Sequence, residues 1–420
     1  MNRRDIIYPH YFKLILAAIL IGLTCALLAY SLKFITEILE KNIFNTISGY
    51  NRLLFIVAPT IGITTIYFLR KHVFKGRKNK GITEIYKTLD HRKDHLPYFK
   101  VPSHYLNGFL TVIFGGSTGI EVSTVVASAT VGNGFYSKSF SAKMFKRELI
   151  CAGVAAGVAV LFCSPIGGCL FALEVISRKI NKTILLCTIT ATLTSCLIIY
   201  LFKNEPIIHM PALPWDVKAL PIFILLSVLA SLLSVYFTLL VTRMKLIFGN
   251  INNNFLRVNL GAISVGAMIY FFPILYGDSY HGLNEILHSN APIIGLFLTV
   301  AFLKPLASAL TLGAGGDGGV FAPSIVAGAL LGLSVAWLGN NYFSMSLIPL
   351  NFALIGAAAT LSASIYAPFT STFLICSIAP DAYILFIPLL VCSLVAQFLA
   401  KCILPYNVYT YEFYKAKIAA

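Results

Sequence analysis

The sequence predicts an all-α integral membrane protein built from two structural repeats, with several of its helices broken inside the membrane. Three observations carry that prediction. Hydrophobic residues make up 58% of the 420 and charged residues 11%, with a mean hydropathy of +0.82; soluble domains carry roughly 25% charged residues. The apolar runs are interrupted by glycine and proline at particular places. Short motifs also recur in the same order at an offset of about 200 residues. K-G-I-T-E-I-Y at 80–86 returns as H-G-L-N-E-I-L at 281–287, and G-I-E-V-S-T-V-V-A-S-A-T-V-G at 119–132 returns as G-V-F-A-P-S-I-V-A-G-A-L-L-G at 319–332. Residues 153–165 return at 356–368, with Ala155 and Ala156 matched by Ala358 and Ala359. One such match among apolar helices could be chance; three in order point to duplication. Paired repeats with broken helices at matching positions imply a transport site at their interface.

The apolar runs fall near 11–36, 52–70, 105–137, 146–175, 183–202, 217–242, 256–276, 291–311, 319–338, 350–377 and 383–404. About 20 residues cross a bilayer, so some of these span whole. The first is too long for a removable leader and lacks its cleavage pattern, which makes it a true span. Others are cut into pieces too short to cross alone. Such breaks are tolerated only where protein or a polar cavity satisfies the freed backbone, a texture of transporters and channels. The expected organisation is an N-terminal segment 1–10, a first repeat 11–202, a linker 203–216, a second repeat 217–404 and a C-terminal helix 405–420. No appended cytoplasmic domain is expected.

A net charge of +16 raises the question of nucleic acid. Here the Lys and Arg residues lie between apolar runs and no soluble basic domain exists to carry them, so they read as topology signals. Basic clusters at 3–4, 70–80, 92–100, 138–147, 178–182 and 243–247 alternate with base-poor connections at 41–51, 203–216, 277–292 and 339–351. The positive-inside rule then puts both termini in the cytoplasm, and Trp215 suits a membrane interface. Nine scattered cysteines without a CxxC pair read as small packing residues. All eight histidines are expected outside the apolar cores, so neither a metal site nor a cofactor is expected.

Of the 16 acidic residues, Glu121 and Glu174 are the two read as lying well inside apolar surroundings. An unpaired carboxylate there is expensive, so each should be functional or specifically paired. Glu121 follows the turn G-G-S-T-G and opens a helix, where free N–H groups and the helix dipole attract anions. The plainer alternative is a carboxylate that only caps its own helix. The matching start in the second repeat is G-G-D-G-G-V-F-A-P-S at 315–324. Gly318 and Gly319 allow a sharp turn there, and Pro323 suits a first helical turn. Two such helix starts could converge and hold an anion on backbone amides. Glycine used only for close helix packing is the alternative. Asp317 reads as a turn residue, or else as an acid tuning that field.

These motifs resemble the CLC family of chloride channels and chloride/proton exchangers. G-V-F-A-P at 319–323 matches the family's GxFxP motif, and G-I-E-V-S at 119–123 matches GREGP through Gly119 and Glu121. N-K-G-I-T-E-I at 79–85 stands where the family has GSGIPEI. F-C-S-P-I-G-G-C-L-F-A-L-E at 162–174 and A-P-F-T at 367–370 also fit. The resemblance implies an inverted-repeat fold with tilted and broken helices, and a homodimer in the lipid bilayer with one anion path per subunit. It implies chloride and protons as partners and a bacterial inner membrane as the location. Glu121 becomes the gating glutamate, with Ile120, Val122, Gly319, Val320 and Phe321 as anion-binding backbone. Lys80 and Gly81 fall at the inner anion site, and Tyr406, with Tyr409 as the alternative, becomes the inner tyrosine.

Three departures from the family pattern matter. Lys80 replaces the usual serine, either compensated by an anion or by Glu121, or snorkelling to the cytoplasm. Val175 stands where exchangers place an inner glutamate, while the adjacent Glu174 points about 100° away on a helix. Ile120 and Ser123 replace the Arg and Pro of GREGP. The expected function is anion transport, with chloride/proton exchange as the first reading and a passive chloride or other monovalent-anion channel without proton coupling as the second. An enzyme is not expected, because no acid cluster, His pair or activated nucleophile lies within the spans. A cation carrier is disfavoured by glycine turns at helix N-termini.

Overall fold

The computed structural model describes the backbone of residues 3–77, 79–90, 95–139, 145–288 and 294–419, and the side chains of 11–77, 79–90, 95–137, 145–288 and 295–418. Arg3, Arg4, Lys78, Arg92, Lys93, Lys138 and Lys143, counted above among the basic clusters, lie outside the described side chains. So does the N-terminal segment 1–10.

The described residues are mostly helical, with one isolated antiparallel bridge between Gly119 and Gly319. Among them, eight helices are long and apolar enough to cross a membrane. The breaks fall where the sequence places them. The run 105–137 divides into helices Lys100–Ile113 and Glu121–Ser139, and the region 291–338 into Ile294–Ala314 and Phe321–Phe343. Similarly, Pro165–Phe171 follows Lys146–Leu161, and Pro368–Ile378 follows Pro349–Ile365. The matched breaks share their backbone. Gly115 and Gly315 both have positive φ (+83° and +111°), and so do Cys163 and Tyr366 (+51° and +58°). Non-glycine residues rarely adopt that region, so its reuse at equivalent positions supports the duplication.

One connection is corrected. Residues 41–51 were expected to form a base-poor loop, but the N-terminal helix runs from Arg3 to Tyr50. The stretch E-K-N-I-F-N-T-I contains no proline or glycine, and nothing in it stops a helix before Gly49. The segment 203–216 is irregular, as expected, with Ile208 and Ala212 donating to the carbonyls of Ile378 and Pro380.

The chain forms two compact units. The first comprises Met1–Phe34, Asn79–Tyr105 and Ser123–Glu205. The second comprises Ile35–Lys78, Leu106–Val122 and Pro206–Ala420. These packing units are a different division from the sequence repeats, since pieces of the first repeat fold into the second unit.

Small residues set the packing of each unit. In the first, helix Lys146–Leu161 is buried along its length. A Cβ on its Gly153 would come within 2.4 Å of the Ser128 carbonyl, so the two backbones approach closely without hydrophobic bulk. Leu14, Ala18, Ile21 and Cys25 pack there against Ala152, Ala156 and Ala191. In the second unit, Gly328 and Gly356 play the same part, each leaving no room for a Cβ beside the other's carbonyl.

Candidate functional site

The site is built from the two glycine turns at helix starts, both in the second unit. In each, a backbone N–H folds back on the preceding helix: Gly116 donates to the Thr111 carbonyl (2.7 Å) and Gly316 to that of Thr311 (2.9 Å). The turns then cross. Ser117 N–H donates to Thr311 Oγ1 at 3.1 Å, and Asp317 N–H donates to Thr111 Oγ1 at 3.0 Å. A few residues on, Gly119 and Gly319 form the antiparallel bridge. Helix Glu121–Ser139 and helix Phe321–Phe343 therefore start side by side. Val320, the residue before the latter helix, makes no side-chain cap. In this turn the positive φ lies at Gly315 rather than at Gly318 or Gly319. They supply closeness instead: a Cβ on Gly319 would meet Val122 Cγ2 at 2.4 Å.

Glu121 is the first residue of its helix and is 4% exposed. Its carboxylate lies back over the turn that precedes it, where a Cβ on Gly119 would come within 2.0 Å of Glu121 Oε2. Oε1 accepts the Tyr280 phenol at 3.0 Å. Oε2 is buried with no hydrogen-bond partner among the described residues.

Sequence reasoning passed over two residues of this region. Tyr280 opens helix Tyr280–His288 immediately before the repeated H-G-L-N-E-I-L. Lys304 is wholly buried, and its ammonium donates to Ser117 Oγ (2.9 Å), the Gly277 carbonyl (2.8 Å) and Ser279 Oγ (2.7 Å). A lone lysine inside the apolar run 291–311 was the available signal, since intramembrane charge is functional or specifically partnered.

Ile120, Val122, Val320 and Phe321 are all buried around these helix starts, with Gly319 between them. Asp317 is buried and paired: Arg70 donates to the Gly315 carbonyl at 2.9 Å and lies 3.8 Å from the Asp317 carboxylate. Tyr406 is half-buried, its ring 5.0 Å and 4.9 Å from those of Tyr411 and Tyr414, whereas the Tyr409 hydroxyl is buried.

Lys80 and Gly81 belong to the first unit. Lys80 is exposed, its backbone N–H donates to Glu84 Oε1 at 2.8 Å, and Gly81 has φ +62°. Glu84 also pairs with Lys100. Val175 is buried in the helical stretch Ala172–Ser177, beside a half-buried Glu174.

Two expectations need correction. Among the described residues the buried carboxylates are Glu121, Glu148 and Asp317, while Glu174 is half-buried. Glu148 is held by the Thr183 hydroxyl at 2.8 Å, a partner that sequence spacing does not reveal. His104 is fully buried, contrary to the expectation for all histidines, because the first turns of helix Lys100–Ile113 pack inward with Ser103. Among the described residues, no group of three His, Cys, Asp or Glu could hold a metal ion.

Crossed helix starts beneath a buried carboxylate, within a bundle of broken membrane helices, define a membrane transport protein with an anion-compatible centre. The family described as "Voltage gated chloride channel" matches residues 62–401, and the chain belongs to that CLC family. It is a multi-pass membrane protein of CLC anion transport. Chloride channel protein CLC-f of Arabidopsis thaliana is 28% identical over 309 residues, covering 67% of this chain and 39% of that protein. The chain thus matches well under half the length of that relative. The H(+)/Cl(-) exchange transporter ClcA of Vibrio vulnificus is 25% identical over 348 residues, covering 80% of this chain and 74% of the relative. The crystal structure of a slow cyanobacterial Cl−/H+ antiporter superposes with a TM-score of 0.83 at 20% identity, covering 96% and 98% of the two chains. The fold is therefore the CLC type.

Proposed function

We propose that this protein exchanges chloride, or a similar monovalent anion, for protons, with Glu121 as the gate. The observation that carries this reading is the Glu121 carboxylate folded over Gly119 at the crossed helix starts. A carboxylate and a halide compete for the same positive helix ends. When protonated, the side chain loses its hold there and leaves; when ionised, it takes the place an anion would occupy. The amides of Ile120, Val122, Val320 and Phe321, beside Gly319, are the anion ligands. By the motif match, Lys80 and Gly81 are the candidates for the inner anion site and Tyr406 for its cytoplasmic closure. The working form is a homodimer in a bacterial inner membrane, both termini cytoplasmic, with the anion as cargo and no cofactor. The naming of ClcA as an exchanger supports proton coupling.

Buried Val175 favours a second reading, a passive anion path, because it offers no proton acceptor where exchangers place one. Liposomes holding the purified protein under a chloride gradient, with the membrane potential clamped, separate the two. Uphill proton movement establishes exchange, and rapid chloride flux without it establishes a passive path. Glu121→Gln is expected to abolish proton movement while leaving anion flux; surviving proton movement would remove Glu121 from the gate.

A further inference from the structure

We propose that Tyr280 is the latch of the Glu121 gate, its phenol holding the carboxylate in place while Lys304 keeps the latch and the gate in register. The inference rests on the reading of Glu121 as the gate and adds the groups that hold it.

The latch itself is one hydrogen bond, from the Tyr280 hydroxyl to Glu121 Oε1 at 3.0 Å. Among the described residues, Tyr280 is the side chain that donates to this carboxylate, and Oε2 has no hydrogen-bond partner. A phenol donating to an ionised carboxylate makes a charge-assisted bond, roughly twice as strong as one to a neutral acceptor. Tyr280 therefore favours the ionised, seated gate, and its grip weakens when the carboxyl takes up a proton. An anion approaching the helix starts must displace a carboxylate that is held on one oxygen.

Tyr280 is placed by its surroundings. Its backbone N–H donates to Asp278 Oδ1 at 2.9 Å, and Asp278 N–H donates to Glu40 Oε1 at 3.2 Å. Ser279 between them has φ +70°, an uncommon conformation that persists where the surroundings enforce it. Lys304 supplies that enforcement. An ammonium has three donors and no acceptor, and all three are used: two on the 277–279 turn that leads into Tyr280, and one on Ser117 in the turn that leads into Glu121. One buried cation thus ties the turn carrying the donor to the turn carrying the acceptor. The charges of Asp278, Glu40 and Glu121 all act on it. Tyr280 and Lys304 are positioning residues: one holds the gate, the other holds the geometry.

The test is a cycle on the full-length protein in liposomes, with chloride as the probe. Tyr280→Phe keeps the ring and removes the O–H. Expected are chloride binding tighter by about tenfold, faster anion flux, and fewer protons moved per anion. In the Glu121→Ala background the same substitution should change none of these, because the latch has nothing to hold. Equal effects in both backgrounds, or affinity and stoichiometry unchanged by Tyr280→Phe, would overturn the latch. Proton movement surviving in Glu121→Ala alone would instead sink the reading of Glu121 as gate. Chloride binding to the purified protein reads the latch even where no proton moves. Should Tyr280→Phe fail to fold, 3-fluorotyrosine at position 280 gives a stronger donor, and chloride binding should weaken. Unchanged or tighter binding would overturn the proposal.

Discussion

Thr111 and Thr311 brace each other's repeat. Each hydroxyl commits its proton to its own helix, Thr111 to the Asn107 carbonyl at 2.7 Å and Thr311 to the Ala307 carbonyl at 2.9 Å. With the proton directed backwards, the lone pairs are free to accept a backbone N–H from the opposite turn, Asp317 for Thr111 and Ser117 for Thr311. The crossed helix starts are thus locked by two small side chains acting reciprocally. Neither interaction is visible from either repeat alone.

Removing either brace leaves a buried N–H without its partner. Thr311→Val keeps the shape and deletes the acceptor for Ser117, and it should cost about 1–3 kcal/mol. Thr111→Val should behave alike through Asp317. Thermal unfolding in detergent checks both, and a Tm unchanged in either variant would mean the brace carries no strain-bearing role.

Gly119→Ala tests the seat of the gate. The new Cβ would lie 2.0 Å from Glu121 Oε2 and 2.6 Å from its Cδ, so the carboxylate must leave. The expected outcome is a faster anion flux with proton movement reduced or lost, while the protein remains folded. Paired with Glu121→Ala, the substitution should add little. Wild-type proton stoichiometry in Gly119→Ala would show that the carboxylate works elsewhere.

The sequence revealed the helix breaks because glycine and proline are legible one residue at a time. Gly115 and Gly315, Pro165 and Pro368 each mark a break that the backbone then makes. The end of the first helix was not legible, because the stretch before Gly49 is of middling helix propensity but holds no proline or glycine to stop the helix. The site divides in the same way. Glu121 stood out as a charge in an apolar stretch at a glycine turn. Tyr280 did not, since its role depends on a contact 159 residues away in sequence. The lone charge of Lys304 was readable, but its partners were not, because two hydroxyls and a carbonyl leave no compositional trace. Asp317 illustrates the intermediate case: its turn was readable, and its pairing with Arg70 came only from the fold.

Lys80 bears on anion choice. It is exposed in its unit, next to Gly81, whose φ of +62° suits a glycine at the entry to helix Ile82–Asp90. A cation before a helix N-terminus opposes the dipole, by about 0.3–1 kcal/mol at an exposed site. Lys80→Ser removes that charge and restores the side chain the family usually carries. If Lys80 faces the anion path, the ratio of chloride to nitrate or fluoride flux should shift several-fold, and high salt should blunt the shift. If Lys80 instead extends to the cytoplasm, the ratios should stay as they are. Parallel flux assays with the three anions decide between these positions.

Tyr366 tests the inner tyrosine. Its φ of +58° turns the chain out of helix Pro349–Ile365 and aims its hydroxyl at the carbonyls of Leu404 (2.6 Å) and Tyr406 (2.8 Å). Asn407 adds a second tie, from its amide to the Ile365 carbonyl at 2.9 Å. The stretch that presents Tyr406 is therefore pinned to the end of one helix. Tyr366→Phe retains the ring that faces the Lys401 ammonium at 5.4 Å and removes only the O–H. The global loss should be modest, about 0.5–1.5 kcal/mol for one hydrogen bond. The local loss should be larger, with amide hydrogen exchange of residues 404–410 accelerated relative to the rest of the bundle. If Tyr406 closes the cytoplasmic side, loosening it should raise anion flux and lower the protons moved per anion, and Tyr406→Phe should reproduce the effect. Should Tyr409→Phe reproduce it while Tyr406→Phe does not, the inner tyrosine is Tyr409.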